Sequence, residues 1–394
     1  GGLYLASNSA KTMTLQLNTL TSNKTSKPTG STTGIEGCGG TICVVAGTVE
    51  LNGFEIDGGA GTNATNGGAV YVGTSANVTL KNMVISGNKA TNGGGIYNAG
   101  TLTIAEGVAI KNNSATNGGG VYSSGAFSLG NNEGTYIGVE NASNKASKGG
   151  GVYVDSGTTT ISGVIQYNDA VSGSGMYIAN GTVTIDEKAT ISKNKSTSTD
   201  MSYGGGIFIN SGDLIVEGSI TDNQASNGGG IAMAGISEKT PEQNATKVTL
   251  NADLLKNTAT YGGGLYYQGG KLVGKSSDGA SSNSLVEIKD NYASSGGGGI
   301  YFDSDFIAGD VQFSLSGNST GGNGGGIYIG NKATVTLNSV LTIAKGGKDV
   351  NLANNGGGIY VGSGTLTLLK TVNISGLKAS NGGAIYVDSG ATAK

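Results

Sequence analysis

The sequence predicts an all-β chain wound as a parallel β-helix, and three observations predict it. A glycine-rich string recurs along the whole length, as in "NGGGIYN" (92–98), "NGGGVYS" (117–123), "NGGGIYI" (323–329) and "NGGGIYV" (355–361). The residue after the glycine-apolar step falls at Tyr4, Cys43, Tyr71, Tyr97, Tyr122, Tyr153, Tyr177, Phe208, Ala232, Tyr266, Tyr301, Tyr328, Tyr360 and Tyr386, mostly 24 to 35 residues apart, the period of solenoid repeats. Between these strings run short segments of strictly alternating polarity, bounded by Gly, Asn and Ser, which is the pattern of half-buried strands. The expectation is one solenoid over 1–394 with about fourteen coils, three short strands per coil, and a less regular stretch, read as an insertion, at about 5–38.

The first strand of each coil follows the glycines. Ile96, Val121, Val152, Met176, Ile207, Leu265, Ile300, Ile327, Ile359 and Ile385 face the core there, and strand alternation then turns the tyrosines outward. The second strand pairs inward residues such as Leu102 with Ile104 and Val183 with Ile185, with Thr103 and Thr184 facing out. Thr-x-Thr steps of this kind follow from ordinary β-propensity. The third strand puts Ile85, Ile110, Ile191, Ile220, Ile288 and Leu315 inward. Three residues after these positions, or their equivalents, comes an asparagine. Asn88, Asn113, Asn144, Asn168, Asn223 and Asn257 are expected to stack into a structural amide ladder at a spacing of about 4.8 Å.

Composition narrows the function classes. The net charge is -3, all 23 basic residues are lysines, and no histidine occurs, so the chain offers no field for nucleic acid and no imidazole chemistry. No apolar run approaches membrane-spanning length, so direct membrane insertion is not expected. The aspartates of "YFDSD", Asp303 and Asp305, are the best local carboxylate cluster for cutting a glycoside, but Asp155 and Asp388 in "YVDSG" mark the position as one where turns favour aspartate. No catalytic residue, cofactor or metal site is therefore assigned, and the glycine strings lack the regular aspartates of calcium-binding nonapeptide repeats. The outward aromatic column is expected to pack on itself and on the glycine backbone; if it does not, Tyr97, Tyr122, Tyr153 and Tyr177 are the best candidates to meet a ligand such as a sugar ring or a partner surface. Cys38 and Cys43 are close enough for a local disulfide and are equally compatible with two reduced core thiols.

The coupling of an apolar-x-x-Asn step to Gly-Gly-(Ala or Gly)-apolar resembles the repeats of the chlamydial polymorphic outer membrane proteins and related bacterial adhesin-like β-helices. "GGAV" (67–70) and "GGAI" (382–385) match the family's first motif, and "ISGN" (85–88), "ITDN" (220–223) and "IKDN" (288–291) match its Phe-x-x-Asn motif with Ile for Phe. The resemblance implies a right-handed parallel β-helix passenger, exported and displayed at a cell surface, often an adhesin; the partner classes considered for such a rod are a host-surface protein or a glycan. The expected function is a non-catalytic structural or adhesive rod, roughly 65 Å long for fourteen coils rising about 4.8 Å each. The first alternative is an extracellular filament subunit, a homo-polymer joined through uncapped coils, since the chain starts and stops inside repeats and implies either that or a longer parent chain. The second is a carbohydrate-active enzyme using aspartates in a cleft built by 234–247 and 275–284.

Overall fold

A computed structural model describes residues 3–6, 13–16, 19–21, 38, 40–58, 64–198, 201–234, 246–274, 284–308, 311–345 and 352–394. Every regular element among them is a strand, and the fold is the expected parallel β-solenoid. The chain divides into two compact units, Gly1–Thr190 and Ile191–Lys394.

In the first unit, seven first strands succeed one another: Leu3–Ala6, Ile42–Asn52, Val70–Lys81, Ile96–Asn98, Val121–Ser123, Val152–Val154 and Met176–Ile178. Neighbours pair in parallel and in register, so like residues stack, as in Ile96 against Val121 and Tyr97 against Tyr122. Second strands such as Thr101–Ile104, Ala126–Leu129 and Thr158–Ile161 pair the same way, Leu102 lying on Phe127 and Ile104 on Leu129. In the coils that start at Ile42 and Val70, the first and second strands merge into runs of 11 and 12 residues. The second unit repeats the plan with seven first strands from Ile207–Ile209 to Ile385–Val387. Together the two units give the expected number of coils.

The core is a narrow column of aliphatic side chains from three faces. Ile96, Leu102, Ile104 and Ile110 are fully buried in one coil, and Ile207, Leu214, Val216 and Ile220 in another. Burying such a side chain stabilises by about 1.5 to 3 kcal/mol, and the stacking repeats that gain in each coil.

Two features differ from the expectation. A fourth short strand precedes the glycines, as at Ala90–Asn92, Ser114–Asn117 and Lys145–Lys148, where the sequence reads as turn. The polar, exposed side chains of this segment conceal its parallel pairing, Ser114 to Lys145 and Asn117 to Lys148. Within 5–38, Met13–Gln16 and Thr19–Thr21 are ordinary coil strands, pairing in register with Val49–Asn52 and Glu55–Asp57, so an irregular insertion starting at 5 is too broad. Residues 22–37 lie outside the described residues, as do 235–245 and 275–283, the bulk of the two segments expected to build a cleft.

The glycine triplet has a separate reason at each place. Gly93 has φ 65°, a left-handed conformation that turns the chain into the next coil. A Cβ on Gly94 would lie 2.5 Å from the carbonyl oxygens of both Gly119 and Ser114, and one on Gly95 would lie 2.7 Å from that of Gly120. The triplets hydrogen bond to each other between coils, Gly94 N–H to Gly118 O at 2.9 Å and Gly95 N–H to Gly120 O at 3.1 Å. Backbone contact this close has no room for a side chain.

Candidate functional site

In several coils the residue just after the third strand has positive φ, and this turn aims the following asparagine into the solenoid. Asn112 (φ 54°) precedes Asn113 and Tyr167 (φ 54°) precedes Asn168, while Asp222, Lys256 and Asp290 (φ 57°, 55° and 54°) precede Asn223, Asn257 and Asn291. In the first unit the buried asparagines Asn88, Asn113, Asn144 and Asn168 form a continuous amide column. The Nδ2 of Asn88 donates to Asn113 Oδ1 at 3.0 Å, Asn113 to Asn144 at 3.0 Å, and Asn144 to Asn168 at 2.9 Å. Each rung also ties down backbone: Asn113 Nδ2 donates to Ile85 O and Lys111 O, both at 2.9 Å, and its Oδ1 accepts from Asn88 N–H at 3.0 Å. The second unit has its own column, in which Asn194 donates to Asn223, Asn223 to Asn257, Asn257 to Asn291 and Asn291 to Asn318 at 3.0 to 3.1 Å. A second, partly buried amide ladder that sequence reasoning missed uses the residue before the glycines: Asn117 donates to Asn92 and Asn92 to Asn66, each at 3.0 Å. The recurring "NGG" was its signal.

From Tyr71 to Tyr177 the tyrosines point away from the core but are buried or half-buried. Tyr71, Tyr97, Tyr122, Tyr153 and Tyr177 stack face to face, with ring centroids 5.0 to 5.2 Å apart and planes within 8°. The strand spacing nearly equals the stacking distance, so each ring covers the next. Tyr153 and Tyr177 retain only 9% and 6% of their surface, and Tyr97 and Tyr122 are half-buried. The rings of this column pack on one another, which is the self-packing expected of it, and Lys148 Nζ lies 5.3 Å from the Tyr177 ring centroid. Burial, then the neighbouring Tyr177 and Asp155, pushes the Tyr153 phenol up to about 12.

The second unit interrupts its column and repairs it. Ala232 occupies the aromatic position between Phe208 and Tyr266, leaving a gap of two strand spacings. Tyr203, from the turn before Phe208, leans into this gap with its ring 6.0 Å from both Phe208 and Tyr266. Beyond it Tyr266, Tyr301, Tyr328, Tyr360 and Tyr386 follow at 5.2, 4.8, 4.8 and 5.6 Å.

The aspartates of the "YxDS" strings serve this column. Tyr266 donates its hydroxyl to Asp303 Oδ2 at 2.8 Å, and Tyr360 donates to Asp388 Oδ2 at 2.6 Å, each reaching the carboxylate at the end of another coil's strand. The Tyr360 hydroxyl, with the Ser389 N–H, holds the Asp388 carboxyl below the usual carboxylate range. Asp303 also accepts from Gln268 Nε2 at 3.0 Å and from Asn331 Nδ2, while Asp305 accepts the Thr334 N–H at 2.7 Å. The two carboxylates considered for glycoside cleavage are therefore committed to different structural bonds. The sequence signal for this pairing was the aspartate two residues after the aromatic.

Cys38 and Cys43 are joined as a disulfide across the turn that opens one coil. Cys43 occupies the aromatic column position, paired with Tyr4 and Tyr71, and Cys38 pairs with Asn66. Among the described residues no group of three or more His, Cys, Asp or Glu side chains is placed to hold a metal ion, and no helix is long and apolar enough to cross a membrane.

Comparison with curated proteins and with solved structures returns no match. Residues 82–99 match a family model described as the Chlamydia polymorphic membrane protein repeat. The matched segment holds one third strand, Val84–Ser86, the ladder residue Asn88, the triplet Gly93–Gly95 and the column residue Tyr97, which is the coupled unit that recurs from coil to coil. The chain is thus a parallel β-solenoid whose repeat is similar to that of the chlamydial polymorphic membrane proteins.

Proposed function

We propose that this protein is a non-catalytic β-solenoid displayed at a cell surface or released outside the cell, where it acts as a structural or adhesive element toward a host-surface protein or glycan. The observation that carries the reading is the family match at 82–99, which falls on the motif the fold reuses coil after coil. The distribution of polar chemistry supports it. The asparagines are spent on buried backbone, the tyrosines on each other, and the "YxDS" aspartates on tyrosine hydroxyls and strand ends. From 101 onward the outward positions of the second strands of the first unit are uncharged and mostly hydroxyl-bearing, at Thr101, Thr103, Ser128, Thr158, Thr160, Thr182 and Thr184. Adhesive contact would be made by such faces and by the connecting segments, which is where solenoids vary without disturbing their cores.

The test is antibody labelling of intact cells of the native organism with serum raised against the purified chain, together with adhesion of beads coated with the chain to host cells. Labelling of unpermeabilised cells and saturable bead adhesion support the proposal. Labelling only after permeabilisation overturns surface display, and adhesion no greater than that of albumin-coated beads overturns the adhesive role.

A further inference from the structure

One cluster in the second unit has a geometry that column packing does not require. Tyr261, 37% exposed, stands edge-on to Tyr301 at a centroid distance of 5.1 Å, outside the column itself. Tyr301 is 9% exposed and stacks on Tyr266 at 5.2 Å with planes 14° apart. Tyr266 is 7% exposed, and its hydroxyl donates at 2.8 Å to Asp303, whose carboxylate is fixed in place by Gln268 and Asn331. Three rings in contact thus lead from solvent to a covered phenol that has a base already in position.

We propose that Tyr261, Tyr301 and Tyr266 form a one-electron relay ending on the Tyr266–Asp303 pair, with diffusible or protein-borne one-electron oxidants as its substrates, such as the carbonate radical or the ferryl haem of a peroxidase. Tyrosine is where such oxidation settles in this chain, because there is no tryptophan and both cysteines are joined to each other. An oxidised phenol becomes a strong acid, so the electron hole rests where the proton has somewhere to go. At Tyr266 the ring gives up one electron to the oxidant by way of Tyr301 and Tyr261, and the phenolic proton crosses to Asp303 Oδ2. The products are a neutral tyrosyl radical, a neutral carboxylic acid and the oxidant reduced by one electron. Stacking against Tyr301 spreads the unpaired spin and covers the ring from solvent. Oxidation that enters at Tyr261 is thereby collected on the first phenol of the stack that has a carboxylate partner, away from the aliphatic core.

The experiment is flash photo-oxidation of the full chain with ruthenium tris-bipyridyl and persulfate, with a spin trap and peptide mapping to locate the radical, and circular dichroism to verify that each variant is folded. Trapped radical is expected mainly at Tyr266 despite its burial. Asp303→Asn keeps a hydrogen-bond acceptor but removes the base, and should lower the Tyr266 adduct by about a hundredfold, the low end of what a positioned base contributes, while adducts rise at Tyr261 and Tyr292. Tyr261→Phe should slow formation of the Tyr266 adduct without moving it, and Tyr266→Phe should abolish it while leaving the stack intact. Adducts that simply follow exposure in the unmodified chain, an Asp303→Asn variant with unchanged yield at Tyr266, or a Tyr261→Phe variant with an unchanged rate would each overturn the proposal.

Discussion

Replacing Asn113 by alanine removes an interior rung of the buried amide column, and the structure fixes what is lost. The side chain is 1% exposed. Its Oδ1 is the acceptor for Asn88 N–H at 3.0 Å, and its Nδ2 donates to Ile85 O at 2.9 Å and to Asn144 Oδ1 at 3.0 Å. Alanine leaves the buried Asn88 N–H without a partner, at about 2 kcal/mol, and takes a donor from Ile85 O, at about 1 kcal/mol. The expected cost is therefore about 3 kcal/mol. Asn88→Ala supplies the control, because Asn88 is the end of the column. Its Oδ1 already has no partner among the described residues, and Asn113 Oδ1 would keep the Asn88 N–H. Its cost should be about 1 kcal/mol, mainly for the bond from Nδ2 to Ser86 O at 2.7 Å. Solenoids open locally, so the assay is amide hydrogen exchange across the coils that contain 84–95 and 109–120. About a hundredfold faster exchange is expected in Asn113→Ala, and about tenfold or less in Asn88→Ala. Equal effects from the two variants, or an interior effect below tenfold, would refute the reasoning that the column acts through backbone groups left unpaired in its interior.

Other expectations follow from the same geometry. Lys256 holds φ 55° with its side chain in solvent, so Lys256→Gly should stabilise the second unit by about 0.5 kcal/mol in urea denaturation, the relief of left-handed strain less the entropy glycine loses. Gly94→Ala and Gly53→Ala separate crowding from backbone strain: Gly53 has φ 79° with nothing within 4 Å of a Cβ, so it should cost about 1 kcal/mol, whereas Gly94, confined by two carbonyls, should cost at least about 3 kcal/mol by the same denaturation. Tyr203→Ala should destabilise by about 2 kcal/mol through the gap beside Ala232, and adding Ala232→Tyr should recover most of that loss; no recovery in the double variant would mean that Tyr203 does not substitute for a missing ring. The raised phenols predict an alkaline limit. A folded-state value above that of the unfolded chain means stability that is complete below about pH 10 and lost as pH climbs toward about 12, the value for Tyr153, so thermal melting should be flat through neutral pH and fall steeply above about pH 10.

Much of the fold was legible because its information is local and repeated. The inward positions of Ile96, Leu102, Ile104 and Ile110 follow from alternation within one coil, and the interval to the next tyrosine supplies the stacking. Facts that depend on two coils at once were harder to read. Alternation correctly turns Tyr153 out of the core, but its burial arises from Tyr122 and Tyr177 on either side. The partners Tyr266 and Asp303 are 37 residues apart, and the aspartate two residues after Tyr301 shows its use only once the coils are stacked. The positive φ before Asn168, Asn223 and Asn257 was hidden because tyrosine, aspartate and lysine occupy it, where Asn88 and Asn318 have the more legible Gly87 and Gly317. Tyr203 lies outside the repeated motif, and its place beside Ala232 is set by rings from two other coils.

The strict register has a consequence for how genes of this kind change length. "NGGG" at 92–95 and "NGGG" at 117–120 occupy equivalent positions, with Ile96 stacked on Val121 and Tyr97 on Tyr122. Unequal recombination between the two strings would remove or duplicate a whole coil while leaving every column to close on the next member. After such a deletion Asn88 would meet Asn144, and Tyr71 would meet Tyr122, with the same bonds as before. Length is therefore nearly neutral for folding in this architecture. A lineage under pressure to vary its outer surface can gain or lose coils in single genetic steps, without passing through misfolded intermediates.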